Sequence, residues 1–148
     1  MSKEDFLPLE ITHLVRDSCL CMHLQRAARA MARHFDDALR PHGLTSGQFS
    51  LLMSLNRPDA PSIGSVAQLL AMDRTTLTAN IKPLERRGLM KVSPHPKDKR
   101  SRCLSLTDEG RRLLKEAFPT WQSAHERAED LIGTPDAERL RCNLVQLS

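Results

Sequence analysis

Two groups of residues in this chain have the types and spacing to do chemistry. The first is SCLCMH at 18–23, with Cys19 and Cys21 two residues apart and His23 close behind; further thiols stand at Cys103 and Cys142. Thiols and imidazole can ligate a metal, a thiolate can be oxidised, and a free cysteine can simply pack as a small apolar side chain. The second group is rich in cations and hydroxyls. It comprises Arg74, Thr75, Thr76 and Thr78, then Lys82 and Arg86, then PHPKDKRS with Lys97, Asp98, Lys99 and Arg100, and Arg102 just beyond. Guanidinium and ammonium groups hold phosphates, and short hydroxyl side chains let a helix backbone approach base edges.

Composition favours the second chemistry. Residues 82–115 hold eleven Lys and Arg against four Asp and Glu, so this segment carries seven surplus positive charges while the whole chain carries only four. Cations concentrated in one segment of an otherwise slightly acidic chain suggest a polyanion-binding surface. Four scattered cysteines make no disulfide framework, and no second CxxC or HxxxH completes a zinc pattern. HExxH, a phosphate-loop glycine pattern and a nucleophile elbow are all missing, so a thiol- or metal-dependent enzyme is supported only by Cys and His content, and we expect no cofactor. No run approaches a membrane span, and MSKEDFLPLE lacks the apolar centre of a secretory signal. The expectation is a cytoplasmic protein with reduced thiols and no membrane partner.

The order of elements explains how these side chains are positioned. From about His13 to Leu39 there is no Pro or Gly, and Leu20, Leu24, Ala28, Met31, Phe35 and Leu39 recur at helical steps, which predicts one long amphipathic helix. RPHG at 40–43 ends it. Thr45 and Gln48 form a capping box, with Leu44 and Phe49 as its hydrophobic staple, for a helix to about Leu55. A third helix places Ile63, Val66, Ala67 and Leu70 on one face. Asp73 then caps a fourth, on which Leu77, Ile81 and Leu84 point inward and Thr75, Ala79, Lys82 and Arg86 point outward; Pro83 predicts a bend.

Two alternating segments follow, Met90 to Ser93 and Arg102 to Leu106, with Met90, Val92, Leu104 and Leu106 inward and Cys103 outward. Thr107 caps a fifth helix carrying Leu113, Leu114, Phe118 and Trp121, with a kink at Pro119, and Thr134-Pro135-Asp136 caps a sixth with Leu140, Leu144 and Leu147 as its stripe. Helix, tight turn, helix and basic-tipped hairpin make a winged helix-turn-helix. The fold class is therefore mainly α with a small β-hairpin wing, a winged helix-turn-helix domain plus a helical dimerisation region. One helix suits the major groove, while the hairpin tip reaches phosphates or the minor groove.

These residues resemble the MarR family of bacterial transcriptional regulators. The resemblance rests on the ordered set Gly43-Leu44-Thr45 with Gln48-Phe49, then MDRTTLTANIKPLERRGLM, Asp98-Lys99-Arg100 and Leu106-Thr107-Asp108-Glu109-Gly110-Arg111. The chain departs from the family pattern at His95, where members usually carry Asp, and at Ala79, where they often carry Arg. The resemblance implies a homodimer held by residues 1–42 and 113–148, with residues 43–112 as the DNA-binding domain. It also implies that double-stranded DNA is the partner, that Asp98 orients Arg100 at the wing tip, and that a small anionic or phenolic effector or an oxidant releases the DNA. An apolar stripe on three helices, more than one small lobe can cover, independently fits a dimer interface.

DNA contacts are therefore expected from Arg74, Thr75, Thr76, Thr78, Lys82, Arg86, Lys97, Asp98, Lys99, Arg100 and Arg102. The function is a pseudo-palindrome-binding regulator, expected to be a repressor; a winged-helix module for protein contacts is the alternative. Cys21, Cys19 and Cys142 are the candidate sensor thiols, with packing as the competing role. On an intact helix Cys19 and Cys21 point about 200° apart and cannot share one ion. Cys21 stands where the organic-hydroperoxide-sensing members resemble this chain, although it has no Tyr and carries Gln25 at one expected aromatic place.

Overall fold

The computed structural model describes residues 6–148, so residues 1–5 of the expected N-terminal region lie outside the described residues. The helices are α1 (Leu9–Ser18), α2 (Leu20–Leu39), α3 (Ser46–Ser54), α4 (Ile63–Leu69), α5 (Arg74–Arg86), α6 (Asp108–Asp130) and α7 (Thr134–Gln146). Strands β1 (Met90–Pro94) and β2 (Arg102–Leu106) form one antiparallel hairpin between α5 and α6. This is the expected winged helix-turn-helix with flanking helices. No described helix is long and apolar enough to cross a membrane.

The long first helix is in fact two. Cys19 leaves the helical region, with φ −69° and ψ 108°, and caps α2 by its backbone alone. Ser18 Oγ donates to the Leu14 carbonyl at 2.5 Å, a back-bond that competes with the helix ladder, and α1 buries no residue that could hold the two segments in line. His23 seals the joint: its Nδ1–H donates to the Cys19 carbonyl at 2.8 Å. The helical argument that sets Cys19 and Cys21 apart therefore does not apply, since Cys19 stands outside the helix.

Capping fixes the lobe. Thr45 and Gln48 make the capping box, with Gln48 N–H to Thr45 Oγ1 at 3.1 Å and Thr45 N–H to Gln48 Oε1 at 3.0 Å. Between α4 and α5, Ala71 takes the left-handed conformation at φ 51°, and Met72 N–H reaches back to the Ala67 carbonyl at 2.9 Å. That reversal is the tight turn of the helix pair. Gly88, at φ 70°, turns the chain the same way from α5 into β1. Both α5 and α6 run uninterrupted through Pro83 and Pro119.

The core joins Leu39, Phe49, Leu52, Val66, Leu77, Ile81, Leu84, Met90, Leu104, Leu106 and Leu114. Met90 pairs with Leu106 and Val92 with Leu104, the register in which all four face inward. Cys103 corrects the expectation from alternation. It is buried, with 3% exposed, because the Pro61–Ser62 segment lies along β2: Ser62 bridges to Cys103, and Leu104 N–H donates to the Pro61 carbonyl at 2.9 Å. Chain from before α4 thus runs along the free edge of β2, beside Cys103. On β1, Val92 N–H is taken by Glu85 Oε2 at 3.3 Å.

An aromatic stack joins the lobe to the flanking helices. Trp121 on α6 lies against Phe49, Phe35, Phe118 and His125, with ring centroids 4.9–6.3 Å away. His34 Nε2–H donates to the Ala124 carbonyl at 2.8 Å, tying α2 to α6. The sixth predicted helix is α7, and Gly133 is its cap instead of Thr134; that glycine's φ of 82° admits the turn, and Pro135 falls inside the first turn. Along α7 the stripe is bare, with Leu140 46% and Leu147 60% exposed.

Candidate nucleic-acid interface

The outer face of α5 is created by its inner one. Burying Leu77, Ile81 and Leu84 leaves residues 75, 78, 79 and 82, spaced at one-face helical intervals, turned to solvent. Arg74, Thr75, Thr78, Ala79 and Lys82 surround one shallow depression there. Asp73 starts the helix by accepting Thr76 N–H and Thr76 Oγ1–H, each at 2.8 Å. Those two bonds hold the Asp73 carboxyl below the usual carboxylate range, the backbone N–H contributing most.

The predicted contact residues therefore separate. Thr76 lies outside the depression and commits its hydroxyl proton to the cap. Thr78 commits its proton to the Arg74 carbonyl at 2.7 Å. Thr75 makes no side-chain hydrogen bond among the described residues, so its hydroxyl is the free one of the three. Arg74 folds back over α4, where a β-carbon on Gly64 would come within 2.9 Å of its Nη2. Arg86 is exposed one turn beyond Lys82, and Lys97, Asp98, Lys99, Arg100 and Arg102 lie together on the hairpin and its loop.

The hairpin tip is organised by two acceptors. Asp98 Oδ1 accepts Arg100 N–H at 2.9 Å, and the Asp98 carbonyl accepts Ser101 N–H at 3.0 Å. Asp98 thus sets the backbone from which Arg100 projects; it makes no ion pair with the guanidinium. His95, which the sequence reading did not count among the site residues, does a similar job: its Nδ1 accepts Lys97 N–H at 3.1 Å, so Nε2 carries the ring proton. The signal for it was the departure from Asp at 95, because a carboxylate and an unprotonated ring nitrogen can both accept a backbone N–H.

Cations without ion pairs are dense on this surface. Among the described residues, Arg74, Lys82, Arg86, Lys97, Lys99, Arg100 and Arg102 form no ion pair, whereas Arg111 and Arg112 on α6 are neutralised by Asp108 and Glu109. Free cations on one helix and one hairpin can meet phosphates without first breaking an internal bridge. The thiols are dispersed. Cys21 is exposed and its sulfur accepts Gln25 Nε2–H at 3.4 Å, Cys142 is exposed on α7, and no group of three or more His, Cys, Asp or Glu among the described residues could hold a metal.

Comparison with known proteins gives consistent matches. The sequence model of the MarR family matches residues 44–101, from the approach to α3 to the hairpin tip. The transcriptional activatory protein BadR of Rhodopseudomonas palustris is 33% identical over 97 residues, 64% of this chain and 55% of BadR. The organic hydroperoxide resistance transcriptional regulator of Bacillus subtilis is 30% identical over 104 residues, 70% of each chain. The matched part of this chain spans about half the length of BadR and of TtmR from Methylorubrum extorquens, 55% and 50% respectively. Among solved structures, the M. tuberculosis transcriptional regulator MosR in complex with DNA shares 34% identity and a TM-score of 0.78, covering 88% of this chain and 96% of its own.

Proposed function

The chain belongs to the MarR family, and from that premise we propose that it is a transcriptional regulator that binds duplex DNA as a homodimer. In this reading α5 of each subunit enters the major groove of one half-site, the hairpin tip brings Arg100 to the neighbouring minor groove, and half-sites lie about one helical turn apart. Residues 43–112 form the DNA-binding domain, with 1–42 and 113–148 as dimerisation regions. Bound across a promoter, the dimer represses.

The observation that carries this reading is the row of eight cations on α5 and the hairpin, Lys91 of β1 included, with no ion-pair partner among the described residues, set beside a helix face free of bulky side chains. The bare apolar stripe of α7 and the exposed Leu20 and Met31 of α2 support the dimer. Release by an oxidant is the signal favoured by exposed Cys21 and its Gln25 donor, and the hydroperoxide resistance regulator among the relatives supports it. A small anionic or phenolic effector is the other class of signal.

Competition between the chain's own upstream region and random duplex at moderate salt is the test. A preference for the upstream region is expected. If four of these cations per subunit neutralise phosphates, the log–log salt slope is about −7, and doubling the salt weakens binding roughly a hundredfold. No preference and a flat salt response refute the function. Equal loss of affinity after peroxide in wild type and Cys21→Ser removes Cys21 as the sensor.

A further inference from the structure

We propose that the depression on the outer face of α5 reads the 5-methyl group of a thymine in each half-site; this rests on the DNA-binding function proposed above. The depression is open, with a volume of about 370 Å³, and is bounded by Arg74, Thr75, Thr78, Ala79 and Lys82. Its chemistry follows from where the hydroxyls and amides have gone. Thr78 turns its hydroxyl back to the Arg74 carbonyl at 2.7 Å, so the group it offers outward is its methyl. Ala79 offers only a methyl. Thr76 is occupied at the cap with Asp73. Asn80, the side-chain amide on α5, points its Nδ2 toward Met72 Sδ at 4.0 Å and away from this face.

Each base edge in the major groove asks for a different partner. Guanine takes a bidentate guanidinium or ammonium, adenine a side-chain amide, and cytosine an acceptor such as a carboxylate. The depression is lined by no side-chain amide or carboxylate, and its one guanidinium, Arg74, is drawn back over Gly64. Thymine presents a methyl group, and the methyls of Ala79, Thr78 and Thr75 supply its apolar counterpart. In this reading Arg74 and Lys82, which also line the depression, take phosphates and set the depth of the helix in the groove. Thr75 is the threonine whose hydroxyl proton is uncommitted, and it can donate to the thymine O4.

The test begins with duplexes selected from a random-sequence library by the full-length protein. The selected half-site is resynthesised with deoxyuridine in place of each thymidine in turn, which removes only the methyl group. At one thymine per half-site the loss is expected to weaken binding about fourfold, or about fifteenfold when both half-sites are changed. Thr75→Ser with Thr78→Ser keeps the hydroxyls and removes the protein methyls; this variant should bind with the thymine-to-uracil difference reduced toward unity. Equal affinity for thymine and uracil at every position overturns the proposal while leaving DNA recognition intact. Full discrimination in the double Ser variant also overturns it, by moving the reader elsewhere. Failure to enrich any sequence is a different result, because it refutes the DNA-binding function itself.

Discussion

Gly110→Ala separates two physical effects of opposite sign. Gly110 lies in the first turn of α6, and by helix propensity alone the substitution should stabilise by about 1 kcal/mol. Packing opposes it. A β-carbon there would stand 2.0 Å from the Leu89 carbonyl oxygen, 3.0 Å from its carbon and 3.3 Å from Leu106 Cδ2. The obstacle is backbone, held in place by Thr107 N–H to the Leu89 carbonyl at 3.2 Å and Thr107 Oγ1–H to the Gly88 carbonyl at 2.5 Å. Overpacking of a well-filled site costs about 1–3 kcal/mol, and with no rotamer to yield the upper end applies. The net loss is about 2 kcal/mol or more, which for a protein of this size lowers Tm by roughly 4–8 °C. Thermal and urea unfolding at one fixed protein concentration measure it, with Gly47→Ala as the control, because Thr45 Oγ1, 4.0 Å away, is the nearest atom to a β-carbon there. A Gly110→Ala protein as stable as wild type would refute the close approach of α6 to the α5–β1 turn.

Four further outcomes are expected. Ala71→Gly relieves the left-handed Ala71 between α4 and α5 and should raise stability by up to about 1 kcal/mol in urea unfolding, whereas a loss would show that Ala71 is unstrained. The depressed carboxyl of Asp73 contributes stability that is present above the usual carboxylate range and is lost as pH falls through and below it; the difference in urea midpoint between wild type and Asp73→Ala should therefore shrink on acidification, and a pH-independent difference contradicts the cap. Arg100→Ala should weaken duplex binding at least tenfold with an unchanged unfolding midpoint, and unchanged affinity would remove the hairpin tip from the interface. Leu140→Asp combined with Leu147→Asp should sediment as a folded monomer, whereas a persistent dimer places the interface elsewhere.

Features decided within a few residues were legible in the sequence. Thr45, Asp73 and Thr107 each cap the helix their spacing announces, because an N-cap needs only its own hydroxyl or carboxyl and an N–H three residues on. The inner row Leu77, Ile81 and Leu84 followed from period alone, and with it the outer row of α5. Features depending on distant segments were not legible. Cys103 alternates outward on β2, yet the Pro61–Ser62 segment returns to cover it. The break at Cys19 carries no Pro or Gly; it follows from a serine back-bond in a helix that nothing on its own chain holds straight. At the candidate interface, residue types predicted the surface, but hydrogen bonding redistributed the roles. Thr76 and Thr78 spend their hydroxyl protons locally, Thr75 keeps its own, and His95 enters as an organiser of the tip.

The segment that buries Cys103 also protects the protein from itself. A two-strand ribbon ordinarily leaves two rows of unused amides and carbonyls, each a template on which a strand from another molecule can add. Here Pro61 and Ser62 occupy one row. On the other, Glu85 takes the Val92 N–H, and Pro94 has none to offer. The wing has little edge left to extend into an intermolecular sheet, so concentrated protein without DNA is guarded against ladder-type aggregation at its most exposed β structure.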